Sequence, residues 1–582
     1  MPTPRDTATA LRRRLQTALR ETFRLSRLRP GQQAVIDRVL AGRATLAIMP
    51  TGAGKSLCYQ LPAVLLPGRT IVVSPLIALM KDQCETLREL GVAAVQLNSA
   101  VASEESQAAR DAVADGSARI VMTTPEHLAQ PEFLELLSKH PVSLLVVDEA
   151  HCISQWGHDF RPAFLEISPA LARLGRPPVL ALTATAGDEV AHDICDQLGI
   201  GRDGTINTGC YRRNLDLRVE QVAREADKLQ RAVALVRAST GPGLIYTATV
   251  KAAQQVHEAL VAADESVGLY HGRLAASERH AAQEAFMNGE HRVMVATNAF
   301  GLGIDKADIR FVLHYQMPGG LEAYYQEAGR AGRDGEPSAC TLLFLRSDKA
   351  VQQFFLAGRY PTEEDAQALY ATLQEPSPDG EAWTLPLLQA RLARPRSKLQ
   401  VALGRLRRQK IVSQAADGAL RVARPGLDAA ALDLLMAAYR DKRGQDREGL
   451  ERMVFYAQTG QCRWRVLLDH LEGEAPFERC DHCDNCRRIA AHQRVLEHLA
   501  TQPAAQPHQH DEAANEPHFS RGDIVKVKRY GRGIVEEAST LQVTVAFADG
   551  TRRCFQPEFV APERRARPAV RARVAAPAAP AA

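Results

Sequence analysis

The sequence predicts an α/β protein built as two tandem lobes with smaller modules behind them, and three observations carry that reading. Between about Leu25 and Arg346, short apolar runs alternate with helix-like stretches; TLAIMP, TIVVSP, ARIVMTTP, SLLVVDEA and VLALTATA are each continuous, then stop at a turn or a polar residue. Strands buried on both faces of a parallel sheet read this way, and their alternation with helices gives a doubly wound arrangement. The pattern restarts after about Gly209 with GLIYTAT, GLYHG, RVMVATNAFG and RFVLHY, which makes a second lobe. The chain is also 582 residues long, too many for one core.

Bulk composition adds limits. The chain is 45% hydrophobic and 24% charged, ordinary for a globular protein. Its net charge of +4, from 72 basic and 68 acidic residues, neither supports nor excludes a nucleic-acid partner. No apolar stretch approaches the length of a membrane helix, and MPTPRDTATALRRRLQ at the N-terminus lacks the apolar core of a secretory signal. Seven of the eleven cysteines are scattered, while Cys462, Cys480, Cys483 and Cys486 are grouped, which favours metal over disulfides. The expectation is a cytoplasmic protein with no membrane partner.

Taken in order, residues 1–24 read as an N-terminal helical segment, 25–207 as the first lobe, 208–350 as the second and 351–380 as a connector. In 381–424, Leu399, Leu403 and Leu406 share a helical face with Arg405, Arg407, Arg408 and Lys410 around it, and IVSQAADGALRVA gives two short strands about a Gly turn. That is a winged-helix-like pattern, with a helical connector as the alternative. Residues 425–492 read as a helical zinc-binding subdomain. Residues 493–518 read as a polar linker, in which His508, His510 and His518 are solvated rather than metal-binding. Residues 519–562 alternate apolar and polar positions between Gly turns, as a small β-barrel does, and 563–582 read as a disordered tail.

The chemistry concentrates at three places in the lobes. MPTGAGKS, Met49 to Ser56, directly follows the run Thr45–Ile48. A Gly-rich loop between a strand and a helix N-terminus aims several N–H groups at one anion. Lys55 can reach the β- and γ-phosphates of a nucleotide, and Ser56 can ligate Mg2+. The usual pattern opens with Gly where this chain has Met49, so alone the segment also reads as a Gly-rich turn. Asp148 and Glu149 end the run SLLVV, and in an α/β sheet such strand ends meet at the edge that carries the phosphate loop. Asp148 would hold Mg2+, through water, and Glu149 would orient and polarise an attacking water. In QEAGRAGRDG, Arg330 and Arg333 stand three apart, on one side of a helix. Arginine stays charged and grips phosphate with two nitrogens. Added from a second lobe, it contributes about 10³–10⁵-fold in rate; a solvated arginine pair is the alternative.

VVDEAHCISQWGHDFRP, Val146 to Pro162, continues past the carboxylates into a loop carrying Trp156, His158, Phe160 and Arg161. An unpaired base stacked on an aromatic ring gains about 1–3 kcal/mol whatever its identity; for Trp156, packing within the lobe is the alternative. Further on, the cysteines have the form C-x17-C-x2-C-x2-C. Four thiolates suit tetrahedral Zn2+ and leave no open position, so the metal would be structural, and His482 is a lesser candidate ligand. Such a site contributes about 10–16 kcal/mol of apparent binding energy.

Together these segments resemble the superfamily 2 helicases, and specifically the RecQ family of ATP-dependent DNA helicases, over roughly Phe23 to Arg346 and again at the cysteines. RLRPGQQAVI is similar to the family's adenine-reading segment, MPTGAGKSLCYQLPA is the family's form of the phosphate loop, and SPLIALMKDQ, TTPEHL, LTATA, VATNAFGLGIDKADIRFVLHY and YYQEAGRAGRDG resemble its other motifs. HCISQWGHDFRP is the most family-specific, because related RNA helicases share the DEAD or DEAH string but not this aromatic loop. The resemblance implies two RecA-like lobes. It assigns Arg29, Gln32, Thr51, Gly52, Gly54, Lys55, Ser56, Asp148 and Gln326 to ATP and Mg2+, and Lys55, Asp148, Glu149, Arg330 and Arg333 to hydrolysis. His151, Trp156, His158, Phe160 and Arg161 would touch single-stranded DNA, and the four cysteines would hold Zn2+. It implies 3′-to-5′ movement on single-stranded DNA and unwinding of duplex or branched DNA in recombination and repair, with repair proteins as partners through the C-terminal barrel or tail.

One departure stands out: the family's zinc helices usually follow the second lobe directly, with a winged helix after them, whereas here the winged-helix-like unit comes first. Two other readings compete. An RNA-dependent ATPase is opposed by the aromatic loop and the cysteines; a DNA-binding scaffold with a degenerate nucleotide site is opposed by intact Lys55, Asp148, Glu149, Arg330 and Arg333.

Overall fold

The computed structural model describes residues 4–98, 103–154, 161–297, 300, 306–359, 361–377, 382–415, 418–427, 429–501, 519–528, 530–539, 541–548 and 551–562. The chain divides into two compact units, Met1–Ala457 with Cys462–Asp484, and Gln458–Gln461 with Asn485–Ala582. Two parallel sheets organise the first unit. One is built from β1 (Thr45–Ile48), β2 (Arg69–Val73), β3 (Ala94–Leu97), β4 (Ile120–Thr123), β5 (Val142–Val147), β6 (Val179–Thr183) and β7 (Thr205–Asn207). Its strand order is β3-β4-β2-β5-β6-β1-β7, parallel throughout.

The apolar runs are continuous because both faces of this sheet are covered. Alternate residues of one strand go to opposite cores: Leu46 and Ile48 join Ile71, Val73, Leu145 and Val147 on one side. Ala47 joins Val72, Leu144, Val146 and Leu180 on the other. Each fully buried Val, Leu or Ile stabilises by roughly 1.5–3 kcal/mol, so two filled faces per strand favour the parallel form. Leu15, Ala18, Leu19 and Phe23 pack into the second of these cores, so the N-terminal helical segment is part of the first lobe's core.

The second sheet is built from β8 (Leu215–Gln221), β9 (Gly243–Thr247), β10 (Val267–Tyr270), β11 (Val293–Thr297), β12 (Phe311–His314) and β13 (Ser338–Phe344). Its order is β10-β11-β9-β12-β13-β8, again all parallel. The two sheets are a tandem RecA-like pair. The fully buried ammonium of Lys228 lies 2.8 Å from both carboxylate oxygens of Asp348 and anchors the start of the following helix, Asp348–Arg359.

The next unit has its own core, in which Leu399, Leu403 and Leu406 pack with Trp383, Leu388, Val412 and Leu420. Its hairpin is β14 (Val412–Gln414) against β15 (Leu420–Val422), and Trp383 bridges to Leu420. Leu369, Tyr370 and Leu373 of the helix Glu363–Gln374 enter the same core. The stretch expected as connector is therefore helical and partly built into this unit, because its apolar face has these partners.

Helices Ala429–Gln458 and Arg463–Glu472 follow, then Asp484–Thr501. The last helix runs past residue 493, where a linker was expected; residues 502–518 of that segment, and 563–582 of the tail, lie outside the described residues. In the second unit, β16 (Ile524–Val527), β17 (Gly531–Ala538), β18 (Val543–Phe547), β19 (Arg552–Phe555) and β20 (Val560–Pro562) form an antiparallel sheet of order β19-β18-β17-β16-β20. Its inward residues, among them Val525, Val535, Val543, Val545 and Phe555, make a small core. Where the alternation predicts a barrel, the described pairings give an antiparallel sheet with β19 and β20 at its edges. Among the described residues no helix is long and apolar enough to cross a membrane.

Candidate functional site

In the first sheet, β1 lies beside β6, and β6 beside β5, so the loops leaving these three strands share one edge. Met49 N donates to Thr183 O at 3.0 Å and Asp148 N to Val73 O at 2.9 Å, extending the ladder into those loops. After Met49 the chain turns through Gly52 (φ +86°) and Gly54 (φ +79°), conformations glycine adopts without a Cβ penalty. The turn leads into the helix Leu57–Leu65. Arg29 donates through Nη1 to Gly52 O, and Gln32 Nε2 donates to Ala53 O (3.1 Å) and Gly54 O (2.9 Å), while Gln32 Oε1 accepts from Arg29 N (2.7 Å). Loop carbonyls are thus satisfied by protein donors, and it is the N–H side of such a loop that attracts phosphate.

Lys55 Nζ donates to Met49 O at 3.3 Å. Burial lowers its pKa, opposed by the nearby carboxylates Glu149 and Asp148. Asp148 Oδ2 accepts from Ser74 Oγ at 3.3 Å. Burial, and then the Glu149 charge, push its carboxyl up to about 7, with Lys55 pulling the other way. A partly buried ammonium facing two partly buried carboxylates, one of them holding a proton near neutrality, is a set that a polyphosphate with a divalent cation would complete in charge.

Glu149 sits at φ +50°, left-handed for a residue with a Cβ. That backbone costs roughly 1–3 kcal/mol and recurs where a side chain must be aimed. Its Oε2 lies 3.4 Å from His151 Nδ1. His151 Nδ1 is also 3.1 Å from Thr183 Oγ1, which donates to Thr185 O at 2.9 Å. His151 was expected among the DNA-facing residues. It is instead 3% exposed and lines the cleft behind Glu149, because the short turn Ala150–Ile153 folds it inward.

From the second lobe, the helix Leu321–Ala328 ends at Gly329, and the turn after it carries Arg330 and Arg333. One cavity of about 420 Å3 is lined by Arg29, Gln32, Thr51, Gly52, Gly54, Lys55, Ser56, Asp148, Glu149 and His151 from the first lobe, and by Gln326, Arg330 and Arg333 from the second. The turn presses on the phosphate loop: a Cβ on Gly52 would stand 3.1 Å from Arg333 Cγ, and one on Gly329 would stand 3.2 Å from Thr51 Cβ.

Three supporting residues escaped the sequence reading. Gln83 donates through Nε2 to Ser56 Oγ (3.1 Å) and accepts from Tyr59 Oη, so it orients the loop's last hydroxyl; it lies in SPLIALMKDQ, where it could have been found. Ser74 was carried by the same stretch. Arg212 had no pattern around it; its Nη1 donates to Thr51 O (3.2 Å) and Gly329 O (2.6 Å), and its Nη2 to Ala331 O (2.8 Å) and Gly332 O (2.5 Å).

Trp156, His158 and Phe160 lie outside the described residues. Arg161 is partly exposed, and its N–H donates to Cys152 O at 2.9 Å, while Cys152 N donates to Glu149 O at 2.9 Å. Of the segment expected to touch DNA, His151 therefore lies in the turn that follows Glu149 and Arg161 is tied to it by one backbone hydrogen bond.

The sulfurs of Cys462, Cys480, Cys483 and Cys486 lie within 4.8 Å of one another. Backbone N–H groups point at three of them: Cys480 N to Cys462 Sγ (3.3 Å), Cys483 N to Cys480 Sγ (3.3 Å) and Arg463 N to Cys483 Sγ (3.4 Å). Donors aimed at sulfur favour thiolates, and four thiolates at this spacing fit Zn2+. His482 is engaged elsewhere, through Nδ1 with Cys480 O (2.7 Å) and Nε2 with Leu215 O (3.3 Å).

Family models match along the same divisions: DEAD/DEAH box helicase over residues 29–194, helicase conserved C-terminal domain over 226–335 and RecQ zinc-binding over 427–487. An ATP-dependent DNA helicase RecQ of Bacillus subtilis (strain 168) is 45% identical over 358 residues, 61% of this chain and 60% of that protein. A probable ATP-dependent DNA helicase RecS of the same organism is 40% identical over 364 residues, 62% of this chain and 73% of that protein. A putative ATP-dependent DNA helicase Q1 of Caenorhabditis elegans is 39% identical over 340 residues, 57% of this chain and 54% of that protein. A solved structure of Mss116p bound to ssRNA and AMP-PNP shares the fold at a TM-score of 0.50 and 18% identity, covering 77% of this chain and 95% of that one.

Proposed function

Because this chain belongs to the RecQ family of ATP-dependent DNA helicases, we propose that it is an ATP-driven motor that moves 3′ to 5′ along single-stranded DNA and unwinds duplex or branched DNA in recombination and repair, acting in the cytoplasm. The observation that carries this reading is the cavity in which Lys55, Asp148 and Glu149 of one lobe meet Arg330 and Arg333 of the other. Hydrolysis in such a cavity depends on lobe closure, and closure and opening displace one grip on a strand relative to the other.

In this mechanism Lys55 would neutralise the β- and γ-phosphates, Ser56 and Asp148 would hold Mg2+, and Arg29, Gln32 and Gln326 would bind the rest of the nucleotide. When bound, Mg2+ would supply neutralisation of phosphate charge. Glu149 orients the attacking water, and its link to His151, Thr183 and Thr185 ties its position to the loop that leaves β6. Arg330 and Arg333 stabilise the charge that gathers on the transferring phosphoryl group. Trp156, His158, Phe160 and Arg161 bind the strand next to the Glu149 turn, so strand binding and water positioning share one backbone segment. The cysteines would hold a structural Zn2+. Residues 381–424 would act as a winged-helix-like grip on duplex, and the antiparallel sheet of 519–562 as a docking surface for repair proteins.

The test is strand separation on substrates with 3′ or 5′ overhangs, forks and four-way junctions, with ATP hydrolysis measured beside it. The expected result is unwinding of 3′-overhang and forked DNA that Lys55→Ala abolishes. Hydrolysis stimulated by RNA alone, or unwinding that survives Lys55→Ala, rejects the proposal.

A further inference from the structure

The second lobe begins where the chain leaves β7 and crosses at Thr208–Asn214 to β8. That crossing is held on both sides. Cys210 N donates to the Glu472 carboxylate, Tyr325 Oη donates to Cys210 O at 2.9 Å, and the Tyr211 ring meets Trp464 edge-on at 5.1 Å and Phe477 at 4.8 Å. Asn214 Nδ2 donates to Gly332 O (2.8 Å) and Glu336 O (2.9 Å). Between these anchors stands Arg212, whose hydrogen bonds go to no side chain among the described residues. Its guanidinium instead spans backbone carbonyls of both lobes: Thr51 in the phosphate loop, and Gly329, Ala331 and Gly332 in the turn that bears Arg330 and Arg333.

A planar fork with five donors can satisfy four carbonyls set on two loops; an ammonium offers three donors from one atom and cannot span them. We propose that Arg212 is a positioning residue that registers the arginine-bearing turn of the second lobe against the phosphate loop of the first, from the chain crossing that joins them. This rests on the proposed hydrolytic function of the cavity and adds to it the element that transmits lobe closure. Arg212 acts through Arg330 and Arg333 and supplies no charge to the nucleotide itself.

The experiment is a double-mutant cycle on DNA-stimulated ATP hydrolysis by the full chain, with Arg212→Ala, Arg333→Ala and the double variant, and Arg213→Ala as an exposed neighbour of equal charge. A misplaced catalytic group costs about 100-fold, so Arg212→Ala is expected to lower kcat to about that extent while KM for ATP stays within about threefold. In the Arg333→Ala background it should cost clearly less than in the wild type, because one of the two residues it positions is gone. Multiplicative losses in the double variant, or a folded Arg212→Ala with wild-type kcat, overturn the inference. Where Arg212→Ala does not fold, Arg212→Lys keeps the charge and loses the fork; it is expected to lose kcat as well, and wild-type kcat in it also overturns the inference. A wild-type protein that does not hydrolyse ATP overturns the functional reading and this inference with it, whereas intact hydrolysis in the Arg212 variants overturns the inference alone.

Discussion

Substituting Gly52 by alanine tests the contact between the lobes with the smallest possible probe. Two costs can be separated. At φ +86° a residue with a Cβ is strained by roughly 1–2 kcal/mol. The added carbon would also stand 3.1 Å from Arg333 Cγ, closer than ordinary contact, and at contact distance, 3.4 Å, from Arg333 Cα. The cheapest relief is withdrawal of the turn bearing Arg333 from the phosphate loop. If that withdrawal removes about 1.4–2.7 kcal/mol of transition-state stabilisation, hydrolysis falls about 10–100-fold.

The control is Gly91→Ala: its φ is +77°, and a Cβ there meets nothing within 4 Å. It carries a similar backbone strain with no contact near the cavity. Both variants should melt a few degrees lower, about 2–4 °C per kcal/mol for a lobe of this size. Only Gly52→Ala should lose DNA-stimulated ATP turnover. Wild-type turnover in Gly52→Ala would mean that the arginine turn does not press on the loop during hydrolysis, and equal losses in the two variants would reduce the effect to backbone strain.

Other outcomes follow from the same geometry. With the Asp148 carboxyl up at about 7, a divalent ion must displace a proton below that pH, so half-saturating Mg2+ for hydrolysis should rise about tenfold per unit as pH falls below 7 and level off above it; a pH-independent requirement from pH 6 to 8 rejects this. The sign for metal-free stability is opposite: the native state holds the proton that the unfolded carboxyl, at 3.8, has lost, so this group's contribution declines as pH rises from about 4 to about 7. Cys483→Ser should release zinc and lower the melting temperature, since Cys483 Sγ accepts the N–H of Arg463, whose guanidinium pairs with Asp484 at 2.9 Å; full zinc retention by colorimetric assay would remove Cys483 from the ligand set. Trp156→Ala should depress DNA-stimulated hydrolysis more than basal hydrolysis, and an equal loss in both would indicate packing alone.

How legible the molecule is in its sequence depends on the kind of interaction. Strands such as Leu144–Val147 were readable because both faces of a parallel sheet must be filled, which writes an uninterrupted apolar run. The gathering of Lys55, Asp148 and Arg330 around one cavity was readable too, since each stands at a strand end or a Gly turn. His151 is placed by the sequence with the DNA-facing residues after it, whereas the turn Ala150–Ile153, entered through the left-handed backbone at Glu149, folds it inward. Arg212 was invisible for a different reason. It binds carbonyl oxygens, which every residue has, so neither its spacing nor its neighbours set it apart from the other basic residues of the chain. The helix Glu363–Gln374 reads as a connector in the sequence because its apolar face has meaning only against Leu399 and Leu403, supplied later in the chain.

The same distinction resolves the unusual module order. In sequence, residues 363–424 separate the second lobe from the cysteine-bearing helices. In space the separation does not hold. Trp464 Nε1 donates to Leu215 O at 3.2 Å, Val219 N donates to Asp484 Oδ2 at 3.0 Å, Gln221 Nε2 donates to Ala457 O at 2.8 Å, and His470 pairs with Glu322 at 2.7 Å. Leu215, Val219 and Gln221 all belong to β8, the edge strand of the second sheet. An uncovered edge strand invites pairing with other chains, and covering it is a stable solution. The cysteine-bearing segment covers this edge, and Tyr211 beside it carries the contact to the crossing between the lobes. An inserted unit is tolerated because its entry at residue 363 and its exit before 429 leave those contacts to β8 unbroken, and lengthening a loop costs little in closure entropy. The order of modules along the chain is thus free to vary as long as the zinc-binding segment can still reach β8.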